Sequence, residues 1–216
     1  EIWIAALRLM EEQNRAAADI NTIMSRAVGI LQRHGAVLTR EQWLKEAEKV
    51  EKEGSPVTSA AIIKATIALD VQKEDEQSVW VEDAQAAVEK GNCEVGRTIF
   101  AHTLEHYPDQ DRVWRQAAQI EKAHGPRETL EALLEKAVTV CPNAEVLWLM
   151  YAREKWETDD LQGAREVLAR AFDKNIGSEE ISLAAAKLEA ENGEKTAAGL
   201  LLERARHEVG TARVWM

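Results

Sequence analysis

The chain has 216 residues, of which 45% are hydrophobic and 30% charged, and its formal net charge is −11. This acidity argues against broad binding to nucleic-acid phosphates or to anionic membrane surfaces, because both need clustered lysine and arginine. The two cysteines, Cys93 and Cys141, form neither a CxxC pair nor a disulfide framework, which indicates a reduced intracellular compartment. No apolar run approaches the roughly 18–20 residues that cross a bilayer.

Tryptophan recurs along the chain at a nearly fixed interval. Two successive gaps are 34 residues long (114 − 80 = 34 and 148 − 114 = 34), and the position one further interval on is Ser182. Repetition on this scale is typical of helical repeat arrays, in which each unit packs on its neighbours. Six of the seven tryptophans lie on or near this grid, and we predict that they form the repeat core: Trp3, Trp43, Trp80, Trp114, Trp148 and Trp215.

Each interval reads as a first helix that carries the tryptophan, a tight turn, a second helix and a short loop. The capping box 39–42 predicts a helix start just before Trp43, and Pro56 suits the first turn of the next helix. Asn143, Ser178 and Asp109 or Asp111 are the expected caps of later first helices. The approximate repeats are 1–38, 39–75, 76–109, 110–142, 143–177 and 178–210, with the start of a seventh at 211–216. Extra residues near 32–38 and 71–75 are expected to form loops.

Small and acidic residues keep the same register as the tryptophans. An alanine follows four residues after the tryptophan, and an acid follows six or seven residues after it, at Glu121, Glu154 and Glu189 but not at Met10 or Ala87. Small residues let two helices approach closely. We assign five alanines of the first and second helices to the core: Ala118, Ala137, Ala152, Ala171 and Ala205.

These patterns predict an all-α fold, a right-handed α-solenoid of antiparallel helix pairs, since no alternating β-branched run indicates a strand. The chain opens two residues before one grid tryptophan and stops one residue after another. We therefore expect a fragment of a longer array without capping repeats. Ser182 leaves the sixth repeat short of apolar burial, so the sequence predicts that Ser182→Trp raises the melting temperature.

Two short motifs imitate enzyme sites. Residues 91–98 are one residue from a P-loop, with Arg97 in place of lysine, but they follow a predicted helix rather than a strand. Residues 102–106 match the H-x-x-E-H zinc-peptidase pattern. Because the repeat counterparts of His102 are Lys136 and Arg170, the two histidines are interpreted as incidental residues of a solvated face. The sequence predicts no catalytic residue, metal, cofactor, small-molecule substrate or membrane contact.

Trp156 is the one tryptophan outside the grid. It shares a helical face with Trp148, and we favour the interpretation that it packs against the next turn. The alternative is that Trp156 is a candidate partner contact, because tryptophan is enriched in interface hot spots. A basic cluster that includes Arg112, Arg115 and Lys122 is interpreted as a solvated face, and direct RNA contact is the less favoured alternative.

The repeat unit resembles the half-a-tetratricopeptide (HAT) repeat of RNA-processing proteins. The resemblance lies in the tryptophan followed by alanine and an acid, and in the second-helix pattern at 164–168. A tetratricopeptide repeat has Leu-Gly and then Tyr after its tryptophan instead. Residues 40–43, 80–84 and 144–150 are similar to the pre-mRNA splicing members of the HAT family. That resemblance implies a nuclear, non-enzymatic scaffold that bridges particles during tri-snRNP assembly, with other spliceosomal tri-snRNP proteins as partners. The alternatives are a peptide-binding adaptor of the tetratricopeptide kind and an RNA-binding HAT protein of another RNA-processing complex.

Overall fold

A computed structural model describes residues 2–35 and 38–209 of the chain, with side chains described as far as residue 203. These residues form twelve α-helices in consecutive pairs and contain no β-strand, which confirms the predicted all-α fold. No helix in the described ranges has both the length and the apolar character that crossing a membrane requires. The helices belong to two compact units, residues 1–108 and 109–216.

The first unit contains three helix pairs. Its second helices, α2, α4 and α6, pack successively on one another. The first helices α1 and α3 also contact the second helix of the next pair, α4 and α6 respectively. The longer connections at 34–39 and 67–75 separate each second helix from the first helix that follows. The six helices are α1 (Ile2–Glu12), α2 (Ala17–Arg33), α3 (Arg40–Lys52), α4 (Pro56–Thr66), α5 (Glu76–Glu89) and α6 (Cys93–His106).

The second unit also contains three pairs but connects them differently. Its links at 141–144 and 175–178 are short, so each second helix packs directly on the next first helix, and the first helices contact one another in series. The six helices are α7 (Asp111–His124), α8 (Arg127–Val140), α9 (Glu145–Glu157), α10 (Leu161–Lys174), α11 (Glu179–Glu191) and α12 (Lys195–Val209).

Several predicted helix ends are confirmed and others are wrong. The capping box of Thr39 and Gln42 is present, Pro56 opens α4, and the Ser178 hydroxyl accepts a hydrogen bond from the Ile181 amide. The predicted caps of α7 and α9 are wrong, because these helices begin after Gln110 and Ala144 without a side-chain cap. The first predicted loop insertion is wrong in part, since residues 32 and 33 lengthen α2.

The grid tryptophans occupy unequal environments. Trp43, Trp80, Trp114 and Trp148 are at most 5% exposed. The indole N–H of Trp80 donates to the Ile67 carbonyl at 3.1 Å, and that of Trp148 donates to the Pro142 carbonyl at 2.8 Å. Trp80 therefore ties its first helix to the C-cap of the preceding second helix, and Trp148 ties its first helix to the link that follows the preceding second helix.

Trp3 departs from the predicted core role, because its residue is 39% exposed. It lies in the first turn of α1 at the edge of an open groove of about 470 Å³, which Met24 of α2 and Trp43 of α3 also line. Part of its ring therefore stays in contact with solvent. Trp215 lies outside the described residues.

The predicted core alanines are buried wherever their side chains are described. Ala118, Ala137 and Ala171 have no exposed surface, and Ala152 is 6% exposed. Ala205 belongs to α12, but its side chain lies outside the described residues.

Carboxylates link successive helix pairs in the first unit. Glu11 of α1 accepts hydrogen bonds from the Val57 and Thr58 amides in the first turn of α4, both at 2.9 Å. Ser55, the residue at the N-cap of α4, makes no side-chain cap. Glu11 thus lies one position after Met10, where the repeat pattern places an acid, and its carboxylate caps a helix of the next pair.

We expect Glu11→Ala to lower the free energy of unfolding by about 1–2 kcal/mol, the usual effect of losing an N-terminal cap. Urea denaturation followed by circular dichroism measures the loss, and hydrogen exchange should show faster exchange at Val57 and Thr58. Glu12 is the matched control, since it is exposed one residue away. Glu12→Ala should change the stability by no more than about 0.5 kcal/mol. Equal effects of the two substitutions would contradict the capping role.

Candidate functional site

The second unit carries a groove between the first helices α9 and α11. The groove has a volume of about 410 Å³, and Leu149, Leu168 and Leu188 contribute to its apolar lining. Trp156 lies in its wall and is half-buried. A large aromatic side chain beside an apolar groove, partly open to solvent, is a typical anchor for another protein.

A second groove lies on the other side of α9, towards α7. It has a volume of about 450 Å³, and Val146 and Met150 line it on the α9 side. Arg153 and Glu157 border both grooves, so the two share α9 as a common wall. This surface, bounded by α7, α9 and α11 and containing both grooves, is termed the first-helix trough.

The charged rim of the trough follows the repeat interval. Arg153 of α9 and Lys187 of α11 are one interval apart (187 − 153 = 34), and so are Glu157 and Glu191 (191 − 157 = 34). The Arg153 and Lys187 side chains are 74% and 68% exposed. Sequence reasoning missed these residues because it followed the tryptophans, although the same interval would have revealed them.

Ion pairs connect the helix pairs beside the trough. Lys122 of α7 donates to Glu154 at 2.9 Å and to Glu157 at 2.5 Å, both on α9. Arg153 also donates to Glu157, at 2.8 Å. The hydrogen bond from Lys122, and next that from Arg153, hold the pKa of Glu157 below its ordinary value. On α10, Arg165 binds the buried Glu189 of α11 through two hydrogen bonds of 2.7 and 2.6 Å. The predicted register acids Glu154 and Glu189 therefore stabilise the stacking of pairs.

The P-loop-like segment has a structural role. The α6 amides of Glu94 and Val95, which a P-loop would offer to phosphate, donate instead to the Glu51 carboxylate of α3 at 2.9 and 3.0 Å. A Cβ on Gly96 would lie 2.4 Å from Val88, so this glycine allows α5 and α6 to approach closely. Gly91 has φ of +83° in the preceding turn. The segment is therefore an interhelical turn followed by the start of α6, and its Glu94 and Val95 amides are already occupied by a carboxylate.

The interpretation of His102 as a residue of a solvated face is wrong. The residue is half-buried, and its ring centroid lies 4.8 Å from that of Trp80 and 4.3 Å from that of His106. Its Nε2 atom is buried and has no hydrogen-bond partner among the described residues. His106 is exposed, and its Nδ1–H donates to the His102 carbonyl oxygen at 3.0 Å. The described ranges contain no cluster of three or more potential metal-binding side chains.

Burial, and next the nearby His106, lower the pKa of His102 below its ordinary value. Glu105 and Glu76 act in the opposite direction, and Lys64 acts in the same direction. The fold therefore prefers the neutral ring, and its contribution to stability is complete above the unfolded pKa of about 6.5. The contribution is lost as the pH falls through the folded pKa.

We expect the free energy of unfolding to fall between pH 7.5 and pH 5.5, and the fall to be smaller in His102→Gln. Urea denaturation at the two pH values measures both. His124→Gln is the control, since His124 is exposed and should leave the pH dependence unchanged. If His102→Gln kept the full wild-type pH dependence of the free energy of unfolding, His102 would not be its source.

Comparison with known families identifies the repeat. The family described as the PRP39 C-terminal HAT repeat matches residues 94–214, more than half of the chain. The chain belongs to the HAT repeat family. This family is non-enzymatic, in agreement with the prediction that the chain is not an enzyme.

Two splicing proteins resemble this HAT chain. Pre-mRNA-splicing factor prp1 of Schizosaccharomyces pombe is 44% identical over 130 residues, which are 60% of the chain and 14% of that protein. Pre-mRNA-processing factor 6 of Homo sapiens is 46% identical over 107 residues, which are 50% of the chain and 11% of that protein. The chain thus spans about a seventh or less of the length of these relatives.

Solved structures show the same kind of fold. A tetratricopeptide repeat protein from Parabacteroides merdae aligns with a TM-score of 0.50 at 12% identity, covering 80% of the HAT chain and 68% of that chain. At this identity the likeness concerns only the helical-pair architecture, which HAT and tetratricopeptide repeats share.

Proposed function

We propose that this HAT array is a non-enzymatic protein scaffold in pre-mRNA splicing, which bridges particles during tri-snRNP assembly in the nucleus. The observation that carries the proposal is the identity of about 45% to two pre-mRNA splicing factors over half of the chain or more. Contacts between helix pairs are consistent with a scaffold. Lys122 joins α7 to α9, and Trp148 joins α9 to the link before it, so the helices around the open trough are held in place.

The proposed partners are spliceosomal proteins of the tri-snRNP. A trough with an apolar lining and a half-buried tryptophan suits contact with protein better than contact with RNA. The basic residues Arg112, Arg115 and Lys122 belong to α7, and Lys122 is engaged by two carboxylates. Direct RNA contact remains the less favoured alternative.

Affinity capture from nuclear extract tests the proposal. The immobilised chain should enrich tri-snRNP proteins, identified by mass spectrometry, and cross-links should place them on the HAT helices. Trp148→Ala, which disrupts the packing of the fifth pair, should reduce the enrichment. Recovery no greater than that of an unrelated tetratricopeptide array of similar net charge would contradict the proposal.

A further inference from the structure

The first-helix trough has a different charge balance from the rest of the chain. Its two grooves are lined by four basic residues, Arg115, Lys122, Arg153 and Lys187. Three carboxylates line the same grooves, and one of them, Glu154, is buried and bound by Lys122. A small cationic excess therefore lies within a chain whose net charge is −11.

Arg115 is the basic residue of the trough with unmet hydrogen-bonding capacity. Its Nε atom is buried and has no hydrogen-bond partner among the described residues. The nearest recorded carboxylate, that of Asp111, lies 3.9 Å away, which is too far for a hydrogen bond. The Arg115 side chain as a whole is 39% exposed and lines the groove towards α7, so its cation is accessible to a carboxylate that a ligand brings.

The basic rim is accessible to a partner. Arg153 and Lys187 face solvent and pair only with carboxylates of their own helices in the described structure, at 2.8 Å to Glu157 and 3.7 Å to Glu191. Exposed pairs of this type contribute little stability, so carboxylates of a partner can compete for the two cations at small cost.

The lining of the trough favours protein over nucleic acid. Leu149, Met150 and Leu188 present apolar surface, whereas binding of single-stranded nucleic acid requires a continuous basic path and aromatic platforms for the bases. Trp156 is the one aromatic residue in the described lining of the two grooves.

We propose that the first-helix trough binds an acidic amphipathic segment of a partner protein. Its apolar side chains pack on the leucines of the grooves and on Trp156, and its carboxylates bind Arg115, Arg153 and Lys187. Adjacent helices pack about 8–10 Å apart, so α7 to α11 spans roughly 20 Å, the length of a helix of about 13 residues. The inference rests on the proposed scaffold function and specifies the chemistry of the partner.

Three synthetic 15-residue peptides test the inference. The first has leucines at helical spacing and glutamates on the opposite face, the second replaces the glutamates by lysines, and the third replaces the leucines by serines. Fluorescence anisotropy at low and at moderate salt measures their binding to the whole chain. The acidic amphipathic peptide should bind at least tenfold tighter than the other two, and salt should weaken its binding.

Variants locate the binding surface. Arg153→Glu with Lys187→Glu should weaken binding of the acidic amphipathic peptide at least tenfold, and Trp156→Ala should weaken it severalfold. If the reversed charges disturb folding, the milder variant Arg153→Gln with Lys187→Gln is measured instead, and it should give an intermediate loss of binding. Lys45→Glu with Lys52→Glu makes the same change in net charge at exposed sites of the first unit and should leave binding unchanged.

Three outcomes would overturn the inference. In the first, the basic peptide binds as tightly as the acidic one. In the second, no peptide binds measurably. In the third, a 20-nucleotide single-stranded RNA binds tightly and the trough variants abolish that binding. Affinity capture separates this failure from failure of the scaffold function. If the Arg153→Glu/Lys187→Glu variant enriches the same splicing proteins as the wild type, the scaffold function stands and the trough is not the site. If the wild type enriches none while the peptide binds, the proposed function fails alone.

Discussion

Replacing Trp148 by alanine is expected to lower the free energy of unfolding of the second unit by about 3–5 kcal/mol, the usual effect of truncating a buried aromatic side chain. Trp148 is 2% exposed, its indole N–H donates to the Pro142 carbonyl, and the Arg170 guanidinium lies 5.3 Å from its ring centroid. The substitution therefore removes apolar packing, a hydrogen bond and a cation–π contact together. A typical domain has only about 5–15 kcal/mol of stability.

Hydrogen exchange is the most informative measurement for this variant, since repeat arrays open locally before they unfold as a whole. Protection should fall first in α9 and in the helices that contact it, α7, α8, α10 and α11. Trp148→Phe is the matched control, because it keeps an aromatic ring but loses the indole donor, and its effect should be much smaller. Unchanged protection of α8 to α10 in Trp148→Ala would show that the ring is not a core element.

Ser182→Trp is expected to destabilise the second unit, which reverses the expectation drawn from the repeat interval. Ser182 is 2% exposed, and its hydroxyl donates to the Ser178 carbonyl at 2.7 Å. The neighbouring Ala185 and Ala186 are also small and buried, and α11 packs against α12 on one side and α9 and α10 on the other. An indole has no space in a site that has closed around a hydroxymethyl group.

The loss in free energy of unfolding should be at least about 1–3 kcal/mol, as for other overpacked cores. A thermal melt followed by circular dichroism measures it as a lower midpoint. Ser182→Ala is the control, since it adds no volume and removes one hydrogen bond within the helix, so its effect should be about 1 kcal/mol or less. A higher midpoint for Ser182→Trp would restore the interpretation of an under-filled repeat.

The helix pairs were predictable from the sequence because the signals that define them are local. The interval from Trp80 to Trp148 sets the length of each pair, and the capping box before Trp43 and Pro56 set two of the helix starts. Each of these features acts over a few residues or repeats at a constant spacing. The same register argues against a P-loop and against a zinc-peptidase site, since both motifs fall within the helical repeat.

The candidate site was only partly predictable. Trp156 was noticed because it breaks the tryptophan interval, and the structure places it in the wall of a groove. Arg153 and Lys187 carry a periodic signal, because they lie one repeat interval apart, but the tryptophan positions alone do not reveal it. The unsatisfied Nε of Arg115 had no sequence signal, because its environment depends on how α7 and α9 pack.

By itself, the sequence determined the all-α repeat architecture, the approximate helix ends and the resemblance to splicing proteins, since periodicity and capping are properties of neighbouring residues. Only the tertiary structure decided what the individual register positions do. It closed the Ser182 site, placed a half-buried His102 against Trp80, and set the Glu11 carboxylate at the start of α4. The physical reason is that burial and hydrogen bonding at these residues depend on the distance and angle between packed helices, which no spacing along the chain specifies.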